Sequence, residues 1–187
     1  MLTTDILRDE HTGVLAVLEQ LERAVAGAEC SVAIPTSVFA DIQEFFAVFV
    51  DRCHHSKEEQ VLFPALGTSG ADLQRRLERE HAQGRQLAGA YATAVRQYVP
   101  GDGTTARDLA SAAQAYTQFL RSHIALETDQ LFPLVENGLT DTQDALAVKE
   151  FDRIEAEEIG EGTHERLHVL IAGLGPRIDA AIATVDA

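Results

Sequence analysis

Two strings in the chain repeat one arrangement of side chains that can bind metal: His54-Cys-His-Ser-Lys-Glu58-Glu-Gln-Val-Leu62-Phe63-Pro64 and His123-Ile-Ala-Leu-Glu127-Thr-Asp-Gln-Leu131-Phe132-Pro133. In each, a histidine is followed four residues on by a glutamate and four further on by Leu-Phe-Pro. Residues four apart share one face of a helix, so a single His-x-x-x-Glu is a common accident. Its duplication with the same apolar tail reads as a repeated module that sets an imidazole nitrogen beside a carboxylate oxygen. His11 and His81 extend the repeat: the separations His11 to His54 and His81 to His123 differ by one residue, and Glu10 and Glu80 stand directly before them.

Four histidines and two glutamates form a nitrogen and oxygen donor set without sulfur. Such a set suits iron or manganese and exceeds what one tetrahedral zinc requires. Two metal ions use every group, with His11, His54, His81 and His123 as terminal ligands and Glu58 and Glu127 as bridges. A solvent-derived oxo or hydroxo bridge would offset the remaining positive charge, and an open position could take dioxygen or peroxide. A lone histidine on an apolar stripe is usually a hydrogen-bonded core residue. Six polar groups at one depth need a shared partner, because an unsatisfied buried polar group costs a few kcal/mol.

The elements that must position these groups are helices. Breaker clusters at Pro35, Gly67 to Gly70, Pro100 to Gly103, Asn137-Gly138 and Gly160 to Gly162 divide the chain. The segments between them carry apolar residues at helical spacing: Leu7, Val14, Leu18 and Leu21 in the first, then further stripes over roughly 36–66, 71–98 and 105–136. Thr104 or Thr105 is the expected N-cap of the fourth helix. The expected fold is all-α, an up-down-up-down four-helix bundle over 1–138 with two further helices, about 141–158 and 163–183, in a C-terminal extension over 139–187 packed on it. His11 and His81 lie early in their helices, and His54 and His123 lie well before the ends of theirs. In an antiparallel bundle all four imidazoles then fall near one height.

Composition narrows the function. The 187 residues include 30 acidic and 15 basic side chains for a net charge of −15, which disfavours nucleic acid and anionic membrane as partners. Residues 1–11 lack the pattern of a signal peptide, and the apolar run Phe45 to Val50 is far too short to span a bilayer, so a cytoplasmic protein is expected. Cys30 and Cys53 are expected to be free thiols, with Cys53 a small core residue. Hydrolase, kinase and transcription-factor motifs are missing from the sequence.

Taken together, His11, His54-x-x-x-Glu58, His81, His123-x-x-x-Glu127 and the two Leu-Phe-Pro tails resemble the hemerythrin-like family of HHE cation-binding domains, in its bacterial type with a C-terminal extension. The match covers about residues 3–137. The resemblance implies a non-haem di-iron centre, with dioxygen, peroxide or nitric oxide as small ligands. The animal oxygen carriers of the family have a fifth histidine four residues after that of the third helix, and here Arg85 stands at that position. The candidates for a replacement ligand are His164, in a Gly160-x-Gly162-x-His164-Glu165 string similar to that of some bacterial relatives, then His55, Glu59, His168, Tyr91 and Tyr116. His55 is expected to point away from His54 toward a helix boundary or solvent, and Glu59 to be its solvated partner. The metal set expected is therefore His11, His54, Glu58, His81, His123, Glu127 and His164.

The function expected is that of a non-haem di-iron protein that binds or processes dioxygen or peroxide, with catalase-like peroxide removal as the enzymatic form. The alternative is iron storage, delivery or sensing without catalysis. Histidine-rich ligation favours ligand handling over the oxidase chemistry of four-glutamate di-iron sites.

Overall fold

A computed structural model of the protein describes residues 1–160 and 162–184, with the side chain of His164 outside that description. Six helical rods account for nearly all of it. Four form the up-down-up-down bundle: α1 (Leu2–Glu29), α2 (residues 36–65), α3 (Ala71–Gln97) and α4 (residues 103–138). Two C-terminal rods follow, α5 (residues 141–159) and α6 (Thr163–Ala183). Among the described residues no strand is present, and no helix is long and apolar enough to cross a membrane.

Local chemistry sets the helix ends. Asp102 caps α4 by accepting hydrogen bonds from the backbone of Thr104 (3.0 Å) and Thr105 (2.8 Å). The cap thus lies ahead of the expected threonines, because a carboxylate just outside the first turn reaches two free backbone donors at once. Thr140 and Gln143 form a reciprocal capping box at the start of α5. Thr163, at the start of α6, donates from its hydroxyl to the Ile159 carbonyl at 2.7 Å. Gly160 and Gly162 turn the chain there with φ of 81° and 76°, in the left-handed region where a Cβ is strained.

Two apolar clusters bracket the middle of the bundle. The larger joins Val14, Leu18, Leu21, Phe39, Ile42, Phe46, Tyr91, Leu109 and Leu120. The smaller joins Leu7, Leu77, Val135 and Phe151 with the Leu-Phe pairs of both strings, Leu62, Phe63, Leu131 and Phe132. The extension shares these cores, since Leu174 and Ile178 of α6 belong to the larger and Phe151 of α5 to the smaller. Polar ties reinforce it. Asp144 of α5 accepts from the backbone of Leu2 and Thr3 and so caps α1, while Arg177 of α6 pairs with Asp41 and donates to Ser37 of α2.

Candidate metal centre

Helices α2 and α4 depart from regular α-geometry where the repeated strings lie. Wide, π-type turns occupy Glu58–Leu62 in α2 and Glu127–Leu131 in α4, each followed directly by Phe-Pro. Proline donates no hydrogen bond and its ring presses on the carbonyl four residues back; a wider turn relieves both. Pro64 and Pro133 thus account for the matching distortion in both copies, which begins at the glutamate of each string. Helix α2 carries a second such stretch, Phe46–His54, that has no equivalent in α4.

Seven buried side chains meet between the two apolar clusters, and they fall into two groups whose donor atoms lie close enough to share an ion: His11, His54, Glu58 and Glu127, and His55, Glu58, His81 and His123. In the first, the Nε2 atoms of His11 and His54 face each other at 3.1 Å. Each carboxylate reaches toward both groups. Glu58 has Oε1 3.7 Å from His54 Nε2 and Oε2 3.3 Å from His81 Nε2. Glu127 has Oε2 3.2 Å from His11 Nε2 and Oε1 2.9 Å from His123 Nε2 and 3.5 Å from His81 Nε2.

The outer nitrogens of the histidines are held by carboxylates. His54 donates from Nδ1 to Glu10 (2.7 Å), His123 to Glu80 (3.0 Å) and His81 to Glu59 (2.7 Å). Such bonds fix the tautomer and leave Nε2 facing inward as a ligand atom. The Glu-His pairs at 10–11 and 80–81 are thereby explained: the glutamate of each orients the histidine of the neighbouring string. The apolar tails cross over in the same way, with Phe63 stacked on His81 (ring centroids 5.5 Å apart) and Phe132 on His11 (5.3 Å). His11 has Thr128 Oγ1 at 3.5 Å from its Nδ1.

The residues fit a metal. Both oxygens of Glu58 and of Glu127, Nε2 of His81 and His123, and both nitrogens of His55 are buried without a hydrogen-bond partner. Glu58 and Glu127 are 0 % exposed. Natural proteins rarely leave so many buried polar atoms unsatisfied in one place, and converging lone pairs are what a cation satisfies. Without an ion, protons take its role. Burial disfavours a charged His81, yet the surrounding carboxylates of Glu127, Glu58 and Glu59 push it up to about 11. His54 and His123 are raised likewise against burial by the carboxylates around them, and Glu127 is held well below the usual range by His123, His11 and His81 despite its burial.

Lys57 and Glu10 form a second buried layer. Burial alone would raise the Glu10 carboxyl, but the hydrogen bond and charge of His54 and the ammonium of Lys57 hold it at about 2. Lys57 pairs with Glu10 and, at 2.8 Å, with Glu155 of α5, so the extension connects to the site through two carboxylates and one ammonium. Cys53, free and buried, has its thiol pushed up to about 12 by burial, in keeping with an unreactive core residue.

Most of the expected ligands converge: His11, His54, Glu58, His81, His123 and Glu127 all line one chamber. The expectation for His55 is overturned. It is 5 % exposed, stacks on His81 at 4.0 Å between ring centroids and belongs to the second donor group. The physical reason is the wide stretch Phe46–His54, in which successive residues are rotated by less than on an α-helix, so His54 and His55 both face inward. The sequence held one signal for it, since the residue at the same place in the second string is Ile124, an apolar side chain. Glu59 is no solvated partner of His55; it accepts from His81 and from Arg85 (2.9 Å). Arg85 also bonds Asp51 at 2.6 Å. Tyr91 donates to the Phe39 carbonyl, Tyr116 packs edge-on against Phe46, and His168 is exposed. The expected role of His164 falls on a side chain outside the described residues.

An all-helical bundle whose centre gathers imidazoles and carboxylates around unsatisfied donor atoms defines a cation-binding protein of the helical-bundle class. The family model described as the hemerythrin HHE cation binding domain matches residues 2–135. The chain belongs to that family. Neither the curated proteins nor the solved structures give a match.

Proposed function

We propose that the chain holds two iron ions, one in each donor group, with Glu58 and Glu127 bridging them, and that it binds or processes dioxygen or peroxide there. A ferrous pair supplies the electrons on which such a ligand draws. The protein's own contribution is position and exclusion. His11, His54, His81 and His123 present Nε2 inward, Glu10, Glu59 and Glu80 hold three of these rings, and Phe63 and Phe132 close one side.

The observation that carries the small-ligand reading is the space left inside. A void of about 10 Å³ lies against His11, His54, His55, His123 and Glu127, roofed by Val14, Val50, Leu120 and Ile124. That is room for about one water-sized group, and the aliphatic roof offers a polar substrate no hydrogen bonds. A chamber this small excludes an organic substrate and favours a ligand of one or two heavy atoms bound directly at the metal.

Adding hydrogen peroxide to the iron-loaded chain, and separately cycling it between oxygen and argon, tests the reading. Oxygen evolution under peroxide identifies peroxide removal, and a reversible change of the visible spectrum on cycling identifies oxygen binding. An iron-loaded chain that responds to neither contradicts the proposal and leaves iron storage, delivery or sensing as the function.

A further inference from the structure

His55 is a buried imidazole with no assigned task. Both of its nitrogens lack a hydrogen-bond partner. Its Nδ1 lies 3.6 Å from Asp51 Oδ1, beyond hydrogen-bonding distance, and Asp51 is itself held by Arg85. A ring nitrogen of His55 lies within 4.8 Å of donor atoms of Glu58, His81 and His123. Its ring stacks on that of His81 and meets His123 edge-on at 5.8 Å.

Packing alone does not account for the residue. The corresponding side chain of the other string, Ile124, fills the same kind of buried position with no polar atom to satisfy. An imidazole with two orphaned nitrogens in a closed chamber is costly unless something binds it, and its ring nitrogen already lies among the donor atoms of Glu58, His81 and His123.

We propose that His55 is a fifth imidazole ligand of the centre, binding the ion held by Glu58, His81 and His123. Helix α2 then supplies two adjacent histidines, one to each ion, and the two ions differ: three imidazoles surround one and two the other. Arg85 faces outward and steadies Asp51, the carboxylate nearest to the His55 ring. The inference rests on the two-ion reading above.

The test loads ferrous iron anaerobically onto the full chain and onto His55→Ala and His55→Gln, and counts ions per chain by mass spectrometry after desalting. The expected result is about two ions for the natural chain and about one for either variant, with added imidazole restoring the second ion to His55→Ala, since a vacated ligand position accepts the free base. Helical circular dichroism reports whether each variant is folded. Two ions in both folded variants would overturn the His55 assignment while the two-ion reading stands. Loss of both ions without recovery in imidazole would also overturn it, by making His55 a residue of structure alone. If the natural chain holds fewer than two ions, the two-ion reading fails first and the assignment falls with it.

Discussion

The repeated glutamates ahead of His11 and His81 act one helix away from their own position. Glu10 orients His54 and Glu80 orients His123, so each copy of the module is completed by its neighbour. Weakening either hydrogen bond by removing its charge while keeping the side chain's shape should weaken metal binding without emptying the core. Glu10→Gln and Glu80→Gln are each expected to lower iron affinity about 10- to 100-fold, as read by competition with a chelator. Glu10→Gln should also lower stability, because Lys57 loses a buried anion, and Glu80→Gln should do so less, because Glu80 pairs with the half-exposed Arg76. Equal iron affinities for both variants and the natural chain would contradict this role. These partners were half legible in the sequence. The Glu-His pairs were visible, but a carboxylate's target depends on which helix packs beside it, and no local spacing states that.

Helix limits were largely legible, because glycine and proline clusters interrupt the apolar stripes and each expected segment agrees with the observed rod to within about three residues. The turns inside the rods were not. A reading at a regular 100° per residue sends His55 outward, whereas the wide stretch Phe46–His54 turns it inward. The contact between α5 and the site was equally hidden, since nothing near Glu155 marks it as the partner of Lys57, which sits about a hundred residues earlier in the chain. Glu155→Ala leaves the buried ammonium with Glu10 alone. Because Glu155 is partly exposed, the expected cost is about 1 kcal/mol in urea denaturation. An unchanged midpoint would mean that α5 is held by Phe151, Ile154 and the Asp144 cap, and that Lys57 contributes nothing to its docking.

The whole molecule couples its stability to protons or to metal at the same atoms. In the metal-free chain His81 is raised from an ordinary 6.5 to about 11, so its stabilisation is complete below about 6.5 and is lost as the pH rises toward 11. Glu10, lowered from 4.5 to about 2, contributes above 4.5 and loses its contribution as the pH falls toward 2. A chelated chain should therefore be most stable between these limits and weaken steadily in alkali. Iron displaces the same protons, so loading should remove the alkaline loss. Urea midpoints across pH with and without iron check both limbs, and a chelated chain that gains stability in alkali would contradict the proton assignment. The overall architecture follows from the duplicated pattern: two copies of one module, carried on α2 and α4, place Glu58 and Glu127 within reach of both donor groups. The central claim is that both groups are filled by iron. Metal analysis of the full chain, with its absorption spectrum in air, tests it most directly. The expected result is about two irons per chain and a near-ultraviolet charge-transfer band; a single zinc per chain, or iron at one per chain with no such band, would contradict it.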